Sequence, residues 1–473
     1  MGLRNQADKL LSSQVLRYDQ IFRFGLAFFA TLLLAIYPVP AAICWVFRFD
    51  YCPVTWPVTV FAPLLPRTPD LVTDTLVAIT LLILFYFAAS FLARHRFRLR
   101  YVVVVGIALV IGSNLIQGLS QGLSDPVSGS NNQYFHDAIS ISDASNFLKE
   151  FNERQPDLLI HTRTHPPGPV LTIYGLLKLL QRPSLVAIAI ALVSVSLSLF
   201  FLNRLLRTEL GSPIADFATF LFVLIPAIQV YYLASIDALI ASLLLGALYF
   251  FLQPQRALSL VGTVTFLAAA SFLSFGFLFI LPVLAGFEMV RDRRLTKIFL
   301  ILLALGVLYL VLYIAMDFNY LRSFLTASAL ENPGGFRLIA APVSYVFTRL
   351  EGIFLISAFF GPFLIFLWIR GIVPRQISCK RFSLRGVPAA VTALSPLYLL
   401  SILGVLSLLA MFATGAFATG ETGRAASFIY PYLMFPVAIY LSRFQLRFRD
   451  HMQLSGLVFG QAVAMQLFGT YLW

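Results

Sequence analysis

The sequence predicts an all-α membrane protein, a polytopic bundle of about 13 transmembrane helices with further helices beside the membrane on the external face. Three observations support this fold class. Of the 473 residues, 59% are hydrophobic and 12% are charged, and the mean hydropathy of +0.86 is too high for a water-soluble globule. Apolar runs of about 17 to 25 residues recur along the chain, each long enough to cross the hydrocarbon core as a helix. These runs lack the alternation of short segments that is typical of a β-barrel.

The predicted spans follow the apolar runs in order. They lie near residues 24–47, 71–93, 101–120, 183–203, 213–232, 235–252, 257–272, 275–290, 298–316, 351–370, 389–413, 424–442 and 453–472. The pair within 257–290 is the least certain in length, since it can form one long tilted helix or two short ones. Residues 1–473 are therefore expected to form a single transmembrane domain with two long polar insertions, 121–182 and 317–350.

The net charge of +13 would suit a nucleic-acid-binding protein, but the positions of the charges favour another explanation. Basic residues lie mostly in short loops on alternate sides of apolar runs, which is the positive-inside pattern, so no nucleic-acid partner is expected. A cytoplasmic N-terminus and two crossings within 257–290 place most of the 34 Lys and Arg residues inside. A single crossing there would expose two of the most basic loops. Both polar insertions, the turn at 233–236 and segment 414–424 are consequently predicted on the non-cytoplasmic face.

The stretch from Tyr134 to Val170 is the longest strongly polar interruption, and it contains three of the five histidines. Apolar residues at i, i+3, i+4 and i+7 from Ala144 predict an amphipathic helix lying on the membrane surface. Asp143 precedes that helix. Its carboxylate is expected either to cap the helix or to act as a general base at the boundary of water and lipid.

A Pro-Pro-Gly-Pro sequence follows His165 and predicts a stiff corner before a short apolar helix, with extended chain between Pro156 and that corner. His161 and His165 are four residues apart but are not expected on one helix. We therefore predict that they bind a polar substrate or the loop itself rather than a metal. No metal ligand set is evident, and a divalent cation is left as an open option.

Several short motifs together resemble the integral-membrane GT-C glycosyltransferases, especially the branch of protein O-mannosyltransferases and lipid A aminoarabinose transferases. Asp143-Ala144-Ser145-Asn146-Phe147 is similar to the acidic motif that leads into the first juxtamembrane helix of that family, and His165-Pro166-Pro167 is similar to its Pro-Pro corner. Pro226 to Tyr232 with Asp237, and Glu421-Thr422-Gly423-Arg424 with Tyr430-Pro431, resemble motifs around later spans. Many members have two adjacent acids at the catalytic position. Here Ala144 follows Asp143 and the next upstream acid is Asp137, so the base stays open between these two.

The resemblance implies an inverting transfer of a sugar from a polyprenyl-phosphate carrier to a glycan, lipid or protein acceptor on the non-cytoplasmic face. Asp143 or Asp137 would deprotonate the acceptor hydroxyl. Arginine side chains near span ends either would hold the phosphate or extend to the membrane interface, the candidates being Arg424, Arg337, Arg322 and Arg349. The other predicted substrate-binding residues are His165, His161, Asp237, Glu421 and Tyr232.

Further alternatives remain open from the sequence. Asp237 either faces the interior of the bundle and contacts substrate, or it caps the helix that follows. The whole protein is alternatively a transporter or flippase of lipid-linked sugar, which the scarcity of charges at the span centres disfavours.

Overall fold

The computed structural model describes residues 16–36, 65–66, 68–70, 72–131, 133–372, 394–416 and 422–470, which are helical almost throughout. The first part of the chain forms α1 (Tyr18–Ile36), α2 (Thr73–Arg94) and α3 (Leu99–Asn114). A two-residue antiparallel pairing joins β1 (Leu65–Pro66) to β2 (Gly469–Thr470). The all-α prediction is confirmed for the described chain.

The first polar insertion folds into five short helices. They are α4 (Asp125–Ser128), α5 (Tyr134–Ile139), α6 (Ala144–Arg154), α7 (Ile160–Arg163) and α8 (Gly168–Leu180). The chain after Pro156 is extended at Leu158, but the 3₁₀ turn over Gln155–Asp157 and helix α7 replace the rest of the extended chain that was predicted before the corner. Proline at the first or second helical position is compatible with such a turn, because the missing N–H would have no partner there.

The middle of the chain forms the centre of the bundle. Its helices are α9 (Pro183–Leu210), α10 (Ser212–Leu224), α11 (Pro226–Tyr231), α12 (Ile236–Phe251), α13 (Arg256–Leu273) and α14 (Ile280–Asp292). Residues 257–290 form two helices that separate at Ser274, where the backbone is extended. The single span expected at 213–232 is broken instead, because Pro226 has no N–H to continue α10.

The last part of the chain carries the second insertion and the final helices. They are α15 (Thr296–Met316), α16 (Tyr320–Glu331), α17 (Arg337–Ala340), α18 (Pro342–Phe360), α19 (Pro362–Ile372), α20 (Pro396–Ala413), α21 (Thr422–Ala425), α22 (Tyr430–Leu441) and α23 (Phe448–Phe468). The span predicted at 351–370 is bent by 103° between α18 and α19. The bend falls at Gly361, whose φ of +101° is a conformation that side chains with a Cβ rarely adopt.

Six helices of the described chain are long and apolar enough to cross a membrane, or seven if the bent pair α18–α19 counts as one crossing. The six are α2, α3 with its 3₁₀ extension to Gln117, α9, α13, α15 and α20. Apolar helices α8, α10, α12 and the Ser427–Leu441 segment are shorter than 18 residues. The membrane character is therefore supported, whereas the count of about 13 crossings stays a prediction.

Burial separates the central helices from the outer ones. Every residue from Ala215 to Leu224 of α10 is buried, as are most of those in α22. The outer helix α15 instead exposes large apolar side chains, including Phe299 at 63% and Ile314 at 75%. Apolar exposure on this scale would be unfavourable in water, so α15 has the surface expected of a lipid-facing helix.

The break at Pro226 also creates a polar contact in the bundle interior. The carbonyl oxygen of Gln229 accepts hydrogen bonds from Asn114 Nδ2 at 2.7 Å, Ser113 Oγ at 3.1 Å and Gln466 Nε2 at 3.3 Å. Carbonyls near a helix end lack intrahelical partners, and these side chains supply them. Helices α3 and α23 thus hold α11, which ends just before the turn that leads to Asp237.

The two polar insertions pack against each other through α6. Its predicted apolar stripe is present, but Phe147 and Phe151 are buried inside the protein, where the Phe151 ring contacts Phe318 at 5.9 Å. The apolar stripe of α6 is therefore covered by protein, whereas its place at the membrane surface stays a prediction. Asn152 Nδ2 donates to Asn319 O at 2.9 Å, and Asn319 N donates to Asn152 Oδ1 at 2.7 Å. These paired amide bonds fix the start of the second insertion beside the first.

Candidate functional site

A cavity of about 770 Å³ lies where the two insertions meet the ends of the central helices. Its polar lining includes Tyr134, His161, His165, Asp237, Glu331 and Arg424. The apolar lining includes Ile173, Ile240, Phe275, Phe324, Met411 and Phe428. A mainly apolar pocket with a few converging polar groups is the usual form of a small-molecule site. The mixed lining suits a ligand with both a polar and an apolar part.

An ion pair lies in the wall of this cavity. Arg424 Nε is 3.3 Å from Asp237 Oδ2, and the two side chains are 12% and 22% exposed. Ser235 Oγ also donates to Asp237 Oδ2 at 3.1 Å. Ion pairs that are largely removed from water are costly to break by removing one partner, so each group helps to hold the other in the cavity.

The sequence left open whether Asp237 caps α12, and the structure assigns the cap to Ser235. Ser235 is the N-cap residue, and its hydroxyl accepts a hydrogen bond from the backbone N–H of Asp237 at 3.0 Å. Ser427 Oγ donates to the carbonyl oxygen of Asp237 at 3.1 Å. The carboxylate of Asp237 is thereby left to the cavity and to Arg424.

His165 lines the cavity beside this ion pair. Its Nδ1 lies 2.8 Å from His161 O, and a carbonyl can only accept, so Nδ1 carries a proton. Burial lowers the pKa of the His165 imidazole below its ordinary value, while the nearby carboxylates of Asp237 and Glu331 oppose this shift. The neutral ring therefore has an unprotonated Nε2 that can accept a hydrogen bond from a ligand hydroxyl.

The short helix α7 places both histidines on this wall. Tyr134 lies between them, with its ring 6.0 Å from His161 and 5.7 Å from His165. His161 and His165 were not expected on a helix, yet His161 belongs to α7 and His165 follows that helix directly. Within the described residues no group of three or more His, Cys, Asp or Glu side chains is arranged to hold a metal ion.

Asp143 lies outside the cavity lining and acts as a helix cap. Its two carboxylate oxygens accept from Ser145 N at 3.3 Å and Asn146 N at 3.1 Å, and the residue is exposed. Those bonds satisfy N–H groups that have no partner within α6. The geometry thus matches the capping interpretation, and it does not place Asp143 as a base in this cavity.

Asp137 also lies outside the cavity lining. Its Oδ2 accepts from Leu159 N at 3.2 Å, immediately before the helix that carries His161. The carboxylate of Asp137 therefore holds the start of α7 through the backbone N–H of Leu159. Neither of the two acids predicted as catalytic therefore contacts the cavity.

The remaining predicted residues have mixed positions. Tyr232 is fully buried and Arg337 lies on α17, and neither lines the cavity. Arg322 is exposed on α16, and Arg349 donates to the carbonyl oxygens of Phe412 and Ala416. Glu421 lies outside the described residues. Among the four arginines predicted to bind phosphate, Arg424 is the one that lines this cavity.

Sequence reasoning gave no binding role to Tyr134, Ser235, Glu331 or Ser427. A serine two residues before an acid, at the start of an apolar run, is itself a cap signal and could have identified Ser235 as the cap. No local pattern points to Ser427, because its contact with Asp237 joins residues 190 positions apart.

A scan of protein-family models gives no match to this chain, and a search of curated proteins gives none either. The fold and cavity therefore define the class of protein: an all-helical chain with several helices able to cross a membrane and an amphipathic cavity containing an ion pair.

Proposed function

We propose that the protein is a membrane glycosyltransferase of the GT-C type, which transfers a sugar from a polyprenyl-phosphate carrier to a hydroxyl acceptor with inversion. The observation that carries the proposal is the Asp237–Arg424 pair in the wall of a mainly apolar cavity. A reaction of this kind requires a carboxylate to accept a proton and a cation beside the leaving phosphate. It also requires apolar surface beside the reacting groups for the carrier lipid.

In the proposed reaction Arg424 binds the phosphate of the carrier, because a guanidinium matches phosphate geometry and stays charged. The acceptor oxygen attacks the anomeric carbon as the bond from that carbon to the phosphate oxygen breaks. Asp237 takes the proton of the acceptor hydroxyl, and the carrier leaves as polyprenyl phosphate. His165 accepts a hydrogen bond from a sugar or acceptor hydroxyl through Nε2.

This scheme assigns the base to Asp237 rather than to Asp143 or Asp137. The reason is position: Asp237 lines the cavity, whereas the carboxylates of Asp143 and Asp137 bind backbone N–H groups of the loop. Arg424 contributes to the site both as the ligand of the phosphate and as the partner of Asp237. When phosphate binds Arg424, the guanidinium is shared between the phosphate and the carboxylate of Asp237.

The proposed orientation follows from the distribution of positive charge. A cytoplasmic N-terminus and about 13 crossings put the cavity on the non-cytoplasmic face, with most Lys and Arg residues on the opposite side. Scanning cysteine labelling from each side of sealed vesicles tests this arrangement. Labelling of an Asp157→Cys variant from the cytoplasmic side would contradict it.

A transporter or flippase of lipid-linked sugar is the second candidate. The bend of 103° between α18 and α19 favours it, because discontinuous helices are common at transporter binding sites. In the glycosyltransferase proposal the same bend serves only to shape the bundle.

Carrier release distinguishes the two candidates. Purified protein is incubated with a panel of polyprenyl-phosphate sugars and a soluble hydroxyl acceptor, and free polyprenyl phosphate is measured by mass spectrometry. The glycosyltransferase releases carrier together with a glycosylated acceptor. Passage of intact lipid-linked sugar across liposomes without carrier release would replace this proposal with the transporter.

A further inference from the structure

Glu351 is a buried acid that the proposed reaction does not use. It lies on α18, where it is 4% exposed, and neither carboxylate oxygen has a hydrogen-bond partner within the described residues. An ionised carboxylate in such surroundings would lose its hydration without compensation, which is strongly unfavourable. The neutral acid is therefore the stable form in this packing.

Two other buried acids show how this chain normally compensates such a charge. Glu288 is also 4% exposed, but its oxygens accept from Lys297 N at 2.8 Å and Ile298 N at 3.0 Å. Asp216 is 5% exposed and pairs with Arg207 at 2.7 Å. Glu351 has neither kind of compensation, although its burial is the same.

The position of Glu351 connects it with the cavity. Leu355, one turn further along α18, lies 3.3 Å from the point where a Cβ on Gly423 would sit. Residues four apart share one face of a helix, so Glu351 lies on the face that packs against α21. The neighbouring Thr422 is buried, and its Oγ1 has no hydrogen-bond partner in the part of the chain that the structure describes. Arg424 is the charged residue of α21.

We propose that Glu351 is a proton-binding site, a carboxyl that holds a proton at neutral pH beside the segment that carries Arg424. Its ligand is H⁺, and the site is separate from the cavity. Charged or titratable groups on α18 and on the elements packed against it are Arg337, Tyr345, Arg349, Arg370, Tyr231 and Arg424, together with Tyr398 of α20, Tyr430, Tyr432 and Tyr440 of α22, and Arg449, Asp450 and His451 of α23. If the proton leaves, the new negative charge lies without compensation on the face of α18 that packs against α21.

Labelling with dicyclohexylcarbodiimide tests the protonated state directly in the full-length protein in detergent. A protonated carboxyl adds to the carbodiimide: its oxygen bonds to the central carbon, its proton moves to nitrogen, and the adduct rearranges to a stable acylurea. Mass spectrometry then locates the label. Glu351 should react at neutral pH. Its labelling rate should fall about tenfold for each pH unit above the pKa of its carboxyl. Glu288 and Asp216 should stay unlabelled, and labelling of all three at equal rates or of none would overturn the proposal.

Thermal unfolding of Glu351→Gln supplies a second readout that does not depend on reagent access. The folded state holds the proton while the unfolded chain releases it, so the wild type loses stability as pH rises above the ordinary range for Glu. The Gln variant has no such loss, and its melting temperature should exceed that of the wild type by a margin that grows with pH. Glu288→Gln is the matched control and should be destabilised at every pH. A Glu351→Gln variant less stable than wild type at both pH 6 and pH 9 would contradict proton binding.

Discussion

Asp143 and Asp237 are both acids near the start of a helix, yet their surroundings give them different functions. Asp143 directs both oxygens to backbone N–H groups at the start of α6 and is exposed to solvent. Asp237 is relieved of that task by Ser235, so its carboxylate meets Arg424 in the cavity. An acid at a helix start is therefore available for chemistry when another residue supplies the cap.

The largest effect on ligand binding is expected from removing the cation of the ion pair. Arg424→Gln should weaken binding of a short isoprenyl phosphate by about a hundredfold, because a charge-assisted contact to phosphate is lost and Asp237 stays uncompensated. Microscale thermophoresis with the purified variant measures this binding. Arg322→Gln on the exposed face of α16 is the matched control and should bind as the wild type does. Equal losses of affinity in both variants would show that the phosphate does not bind specifically to Arg424.

The corner between the histidines and α8 should be sensitive to a single methyl group. A Cβ on Gly168 would lie 2.1 Å from the carbonyl oxygen of Phe272, whereas a Cβ on Gly175 meets nothing within 4 Å. Gly168→Ala should therefore lower stability by about 1–3 kcal/mol through backbone displacement. Gly175→Ala, in the same helix, should be neutral or raise stability by up to about 1 kcal/mol. Thermal unfolding of the two variants, monitored by circular dichroism, gives the comparison, and equal melting temperatures would contradict the close approach of α8 to α13.

Asp143 is expected to matter for stability and not for chemistry. Asp143→Ala should cost about 1 kcal/mol, since it removes the N-cap of α6, whereas Asp143→Asn should cost less because Asn also caps well. Hydrogen exchange in the first turn of α6 measures this directly. Faster exchange with unchanged carrier release would support the distinction drawn between the two acids.

The pH dependence of ligand binding depends on the neutral form of His165. Because burial lowers the pKa of His165, the neutral ring persists below the ordinary value of about 6.5 and is lost only as pH falls through the lower value. Binding should thus remain constant from neutral pH to about 6.5 and decline at more acidic pH. His165→Asn should flatten this decline. A wild-type decline that begins above pH 7 would contradict the neutral ring.

The helices could be predicted from the sequence because apolar runs are local, and the same is true of the amphipathic pattern of α6. The breaks at Pro226 and Gly361 also have local signals, but the sequence does not state whether a membrane helix tolerates or breaks at such a residue. The site was less predictable. Asp237, Arg424, His161 and His165 were named, whereas the choice between Asp143 and Asp237 depends on contacts between distant segments. The Ser427–Asp237 and Asn152–Asn319 bonds have no local signature.

The most direct test of the central claim compares carrier release by Asp237→Asn and Asp143→Asn at neutral pH, with circular dichroism to confirm that both fold. Asn keeps the shape of each side chain and removes the proton-accepting charge. Loss of a general base typically slows a reaction about 10²–10⁴-fold, and this loss is predicted for Asp237→Asn, with Asp143→Asn close to the wild type. A folded Asp237→Asn variant that releases carrier at the wild-type rate, while Asp143→Asn does not, would return the catalytic role to the acid at the start of α6.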